Sequence, residues 1–315
     1  LNMFMFENQI TIGSEAILKE YLNSFEYGTS DLSFTSLYMW RNINKFSWQV
    51  IGDYLCIAGI SHLDIEKEEA FLFPPLTKTG KYDPVELRKT ILDAKKVFDE
   101  KGERFNIRLL PKHMIEIVES AFPGEFIYYA DRANFDYLYL TKDLINLAGR
   151  KYHTKRNHLN HFKSHYSYEY GPLTSAMAPE AMDFIHRFNR RKDMPLYEQG
   201  LLKLEEDAMS DVLENLEKVG YLTGAVFMGG EIQALSIGGA LGKKTVTVHV
   251  EKANTAYRGS YQVINNEFCK QMASNVKYMN REEDMDIMGL REAKLSYRPI
   301  RFVEKHIAMP RDLSD

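Results

Sequence analysis

Apolar positions recur along this chain with two different periods, and each change of period marks a new element. Between Ser14 and Phe25, residues Ile17, Leu18, Tyr21, Leu22 and Phe25 fall at helical spacing behind a serine able to cap. Phe46–Ile60 and Ala70–Phe73 read as strands, the second stopped by Pro74-Pro75. Asp83-Pro84 opens a strong helical pattern with an inward face of Leu87, Ile91, Leu92, Ala94, Val97 and Phe98, and Gly102 ends it. A strand at Phe105–Leu110, a helix at Lys112–Ala121 and strands at Phe126–Tyr129 and Phe135–Leu140 follow. Thr141 caps a predicted short helix from Lys142 towards Ala148, and Gly149 reads as a hinge.

The second half opens on a predicted helix over 151–165, with further helices at Pro179–Arg190 and Leu202–Val219. A meander comes next: Leu222–Met228, a Gly229-Gly230 turn, Glu231–Gly238, a Gly242-Lys243 turn and Thr245–Glu251. The order continues as helix (Tyr261–Ala273), strand (Val276–Met279), helix (Leu290–Ser296) and strand (Phe302–His306). These elements predict an α+β chain of two domains, 1–148 and 149–315, with mixed, mostly antiparallel sheets flanked by helices.

Composition narrows the class. Apolar residues at 44% and charged residues at 27% are those of a globular protein, and no apolar run reaches membrane-span length. No signal-peptide pattern is present, and Cys56 and Cys269 lie too far apart in sequence for a CxxC or zinc spacing, so a reduced, cytoplasmic protein is expected. The net charge of −4 argues against wholesale nucleic-acid binding. It is unevenly spread: residues 1–145 carry 16 Lys and Arg against 22 Asp and Glu, and residues 146–315 carry 24 against 22.

Three stretches of the second half hold candidate chemistry. Asn280, Arg281, Glu282, Glu283 and Asp284 follow a strand and precede a helix that Pro299 stops. Dense opposite charges at a strand end can hold a substrate amine and supply a base. The plain alternative is a solvated turn with surface ion pairs. In His249-Val-Glu251-Lys252, alternation puts His249 and Glu251 on one face and Lys252 on the other. From Leu144 to Tyr168 there is no acid, but there are Arg150, Lys151, Lys155, Arg156, Lys163 and four of the nine histidines, interleaved with aromatics. That mixture suits an RNA end or a phosphate-bearing donor, and equally a basic helix packed on acidic surface. His158, His161 and His165 share a helix side, but with no clustered carboxylates no metal is expected.

Residues 278–299, together with Ser36-Leu-Tyr-Met-Trp40, Asp136-Tyr-Leu-Tyr-Leu140, Lys155-Arg-Asn-His-Leu-Asn160 and His249-Val-Glu-Lys-Ala253, resemble in order the phosphatidylglycerol lysyltransferase C-terminal family. The resemblance implies tandem acetyltransferase-like (GNAT) domains, similar to the Fem peptidyltransferases, and aminoacyl or acyl transfer to an amine or hydroxyl. It makes Glu251 the first candidate base, and lets Glu283 and Asp284, with Glu282, receive an aminoacyl ammonium. Arg281 and Lys294 become candidates to stabilise an oxyanion or grip a phosphate, and Tyr297 a candidate proton donor. Lys155, Arg156, Asn157 and Asn160 match the family as donor-binding residues, beside His249, Asn280 and Arg291. The loop Ala256-Tyr-Arg258-Gly259-Ser-Tyr261 stands where acyl-CoA-using GNAT enzymes bind pyrophosphate. Only its first glycine fits, with Tyr261 replacing the second, which favours aminoacyl-tRNA over acyl-CoA as donor. The family's lysyltransferases carry a transmembrane module, and its absence from these residues makes a peptide, a cell-wall precursor or a small amine the expected acceptor. Three readings stay open: an aminoacyltransferase needing no cofactor, a CoA-dependent N-acyltransferase, and a non-catalytic module sensing a nucleotide or amino acid.

Overall fold

A computed structural model describes residues 4–61, 68–189, 194–272 and 274–313, so the final residues of the predicted helices at Pro179–Arg190 and Tyr261–Ala273 lie outside the described residues. The chain divides into two compact units, one formed by residues 1–136 with 303–315, the other by 137–302. The division differs from the boundary expected at Gly149: the chain leaves the first unit at Asp136 and returns to it at Val303.

The first unit is built on an eight-stranded sheet in the order Asn8–Gln9, Ser47–Ile51, Tyr54–Ser61, Glu69–Leu72, Ile107–Pro111, Lys305–Pro310, Phe126–Ala130, with Leu76–Thr77 paired to Tyr54–Ser61. Its long helix, Pro84–Lys101, starts where Asp83 accepts from the amides of Val85 and Glu86 and stops at Gly102 in the left-handed conformation (φ +72°). Leu87, Ile91, Ala94 and Phe98 of its predicted inward face are buried, whereas Leu92 is exposed. The returning segment is fastened by Lys305, whose side chain is fully buried between Asp31 (2.5 Å) and Asp136 (2.7 Å).

The predicted strand Phe302–His306 is two strands on two sheets. Arg301–Val303 borders the second unit's sheet, and Lys305–Pro310 lies inside the first. Alternation along the chain is blind to such a change of sheet, because both segments keep the same period. Likewise the predicted helix Leu202–Val219 is Leu196–Glu214 followed by Leu216–Val219, broken at Asn215, where φ −125° and ψ 22° interrupt the helical backbone.

The second unit carries a seven-stranded sheet in the order Arg301–Val303, Asp136–Leu140, Tyr278–Asn280, Thr245–Ala253, Glu231–Leu241, Leu222–Met228, Glu169–Gly171. The predicted meander forms its antiparallel centre. Helices Ser260–Met272, Thr141–Asn146 and His153–His165 pack together over a core that includes Phe162, Val263, Ile264, Phe268, Val246 and Met279. Two features of the sheet matter for chemistry. Ile237 pairs with Val250 but Gly238 pairs with Val248, so His249 is the extra residue of a β-bulge. Thr245–Thr247 pairs in parallel with Tyr278–Asn280 and the pairing stops there, so the longer strand runs on to Ala253 without that neighbour. Crevices at the carboxyl ends of parting parallel strands are the usual ligand sites of such sheets.

Candidate active site

Two side-chain pairs bridge the parting strands. Oε1 of Glu251 lies 2.7 Å from Nη2 of Arg281, with both side chains nearly sealed from solvent (7% and 13% exposed). Oε2 of Glu251 is approached by the Ser236 hydroxyl (3.3 Å), from the residue paired with Glu251 across the sheet, and by the Asn265 amide (3.4 Å). Nδ1 of the bulged His249 lies 2.7 Å from Oε1 of Glu282, with the ring of Tyr221 edge-on to the imidazole. Lys252, on the opposite face as alternation requires, pairs instead with Glu205 at 2.6 Å.

Arg281 is the centre of the arrangement. Burial works against its charge, but Glu251 with Tyr139 and Tyr297 outweighs it and holds the guanidinium firmly protonated. Its Cζ lies 5.8 Å from the centre of the Tyr139 ring and 5.1 Å from that of Tyr297. One of its nitrogens, Nη1, is buried without a hydrogen-bond partner among the described residues. The Tyr297 hydroxyl is also buried and makes no well-formed hydrogen bond among them, although Gln262 lies close enough to polarise it. Burial pushes the Tyr297 phenol well above its ordinary range, so it is a proton-bearing donor. Lys155 completes the group, its Nζ 4.4 Å from the centre of the same Tyr297 ring. Unsatisfied buried donors are costly and so mark places where a ligand oxygen belongs.

The segment behind Arg281 is a positioning frame. Lys294, buried, donates its ammonium protons to the backbone carbonyls of Arg281 and Glu283. Asp284, fully buried, accepts from Arg291 through both oxygens (2.9 Å each) and from the Tyr137 hydroxyl at 2.5 Å. The Tyr139 and Tyr152 hydroxyls donate to the carbonyls of Lys294 and Tyr297. Glu282, Met285 and Asp286 all have positive φ. Asn280 and Asp284 hold this strained backbone by accepting from the amides of Glu282 and Asp286. Glu283 is half-buried in the same turn.

The remaining candidates do other work. Arg156 donates to the carbonyls of Leu147 and Gly149, and Asn157, exposed, pairs with His153. Asn160 and Arg258 are exposed. Gly259, at φ +94°, leaves no room for a Cβ, which would sit 2.2 Å from the backbone oxygen of His158. Close packing of the His153–His165 helix therefore explains this glycine without any phosphate, and Tyr261 packs edge-on to Phe188. The thiol of Cys269 is pushed up to about 12 by burial, reinforced by Glu251, and stays protonated. Sequence reasoning missed Ser236, Asn265 and Tyr139. Strand register would have found Ser236, but helix packing, which brings in Asn265, has no counterpart in linear spacing.

The profile of the family described as phosphatidylglycerol lysyltransferase, C-terminal, matches residues 23–309. A solved structure of a conserved protein of unknown function from Bacteroides thetaiotaomicron is 32% identical, with a TM-score of 0.87 over 98% of this chain and 100% of that one. L-PGS from Bacillus licheniformis superposes at a TM-score of 0.62 with 11% identity, over 98% of this chain and 95% of that one. FemX superposes at 0.50 with 10% identity over 96% of each. At such identities the likeness is one of fold, and the α+β architecture with mixed, mostly antiparallel sheets flanked by helices expected from the sequence is the one found. An uncharacterised protein of Mycoplasmoides gallisepticum is 24% identical over 205 residues, 61% of this chain and 61% of that protein, so the chain covers less than two thirds of that relative. Among the described residues no helix is long and apolar enough to cross a membrane.

Proposed function

Because the chain belongs to the phosphatidylglycerol lysyltransferase C-terminal family, we propose that it moves an aminoacyl group from aminoacyl-tRNA to an amine or hydroxyl of a soluble or peripheral acceptor, such as a peptide, a cell-wall precursor or a small amine. The observation that carries this reading is the buried Nη1 of Arg281, without a hydrogen-bond partner among the described residues, where the two parallel strands part.

Attack on the ester forms a bond from the acceptor to the carbonyl carbon and puts negative charge on the carbonyl oxygen. A fixed cationic donor in a desolvated site stabilises that charge more than it does the neutral ester. Glu251 holds the guanidinium in place through Nη2, leaving Nη1 for the oxyanion. The C–O bond to the ribose then breaks, and the leaving oxygen takes a proton from a neighbouring donor such as the Tyr297 hydroxyl. Glu251 thus acts as a positioning residue: both its oxygens are engaged before any substrate arrives.

The test is transfer of label from a mixed pool of aminoacyl-tRNAs to a cell-extract acceptor fraction by wild type and by Arg281→Met. Labelled acceptor from wild type and not from the variant is expected. No transfer, with coenzyme A raising the melting temperature, would replace this reading with an acyl-CoA enzyme.

A further inference from the structure

The acceptor must lose a proton as it attacks, and Glu251 is badly placed to receive it. We propose that Lys155 is the proton acceptor: its Nζ sits against the Tyr297 ring that also carries Arg281, and no described carboxylate pairs with it. This assignment rests on the aminoacyl-transfer reading and names the base for it.

A lysine serves as a base only if its surroundings disfavour the ammonium form; burial and the neighbouring Arg281 do so here, against the face of the Tyr297 ring, which favours it. Lys155 is half-buried, and burial followed by the Arg281 charge lowers its pKa. It is the third residue of the helix His153–His165, where the positive end of the helix dipole opposes a cation. The charged and titratable groups facing it are Arg281 beyond the strand Tyr278–Asn280, Tyr297 after the helix Met288–Ser296, and His158 one turn along its own helix. The imidazole of His158 is itself lowered by burial, Arg258 and Lys155. Glu251, the acid that holds Arg281, is taken up by that guanidinium.

The step balances without a co-reactant. The neutral amine of Lys155 takes the proton from the attacking nitrogen or oxygen as the new bond to the carbonyl carbon forms. The ammonium so formed returns a proton, directly or through the Tyr297 hydroxyl, to the ribose oxygen as its bond to that carbon breaks. The products are the aminoacylated acceptor and deacylated tRNA, with the enzyme unchanged.

Two measurements on the full chain test this. In the first, lysines are trace-labelled with acetic anhydride across pH 6–11 and read by mass spectrometry. Lys155 should titrate at lower pH than the exposed Lys151, and titration together with Lys151 would overturn the assignment. In the second, single-turnover transfer is followed in wild type and Lys155→Arg, which keeps the charge and loses the base. A rate loss of about 100-fold or more, with KM little changed and the basic rise of the pH profile abolished, is expected. Transfer by Lys155→Arg at the wild-type rate would overturn the base and leave the aminoacyl reading standing. No transfer by wild type would overturn both.

Discussion

Replacing Glu251 with Gln separates a structural ion pair from a free catalytic base. The substitution keeps size and keeps an oxygen for Ser236 and Asn265, but removes the charge facing Arg281 at 2.7 Å. Breaking one side of a buried pair costs about 3–5 kcal/mol, because the other charge is left uncompensated. Arg281 keeps its contacts with the Tyr139 and Tyr297 rings, each contributing roughly 0.5–2 kcal/mol, so the lower end, about 3 kcal/mol, is expected. For a unit of this size that corresponds to a fall in Tm of about 6–12 °C. Thermal and urea unfolding of wild type, Glu251→Gln, Arg281→Met and the double variant would measure it. The double variant should recover about 2 kcal/mol relative to the sum of the singles, since it no longer buries a lone charge. A Glu251→Gln protein within about 1 kcal/mol of wild type, with additive singles, would refute the ion-pair account and return Glu251 to the role of base.

Gly259→Ala should destabilise by about 1–3 kcal/mol or more, from the left-handed backbone and the collision with the His158 carbonyl, and melting curves read it in the absence of any donor. Lys294→Met should cost about 2–3 kcal/mol and loosen the turn over 281–286, seen as faster amide hydrogen exchange there, because a charged donor to two carbonyls is lost. His306, whose pKa is lowered chiefly by burial, gives stability that is present above the ordinary imidazole pKa near 6.5 and is lost as pH falls through the lowered value. His306→Gln should therefore flatten the acid side of the stability profile below about pH 6.5, and an unchanged acid limb would contradict the assignment.

Much of the fold was legible where one face of an element is wet. The helix that Asp83-Pro84 opens and Gly102 ends announces itself by period and punctuation, and the meander, whose central strands are largely buried, does so by the glycine turns between its strands. The helix Phe34–Trp40 does not: Phe34 to Met39 are all buried, so no polar face marks its turns. At the site, alternation correctly separated Glu251 from Lys252, and Arg281 and Glu282 of the charge run reach Glu251 and His249 of the neighbouring strand. What linear spacing could not show is which charges are spent. Asp284, Arg291 and Lys294 look like reactive groups in sequence, yet each is engaged in holding the turn, whereas Arg281 keeps one donor in reserve. Nor does sequence reveal that Tyr137 directs its hydroxyl at Asp284 of that turn, or Tyr139 and Tyr152 theirs at the carbonyls of Lys294 and Tyr297 at the end of the helix that follows it.

The most direct test of the central claim is a crystal structure with a non-hydrolysable donor fragment, an adenosine carrying the amino acid through a 3′-amide. The account predicts the amide oxygen on Nη1 of Arg281, between the strands Thr245–Ala253 and Tyr278–Asn280, with the Tyr297 hydroxyl near the 3′-nitrogen. Binding elsewhere on the chain, with Nη1 of Arg281 still unpartnered, would contradict it.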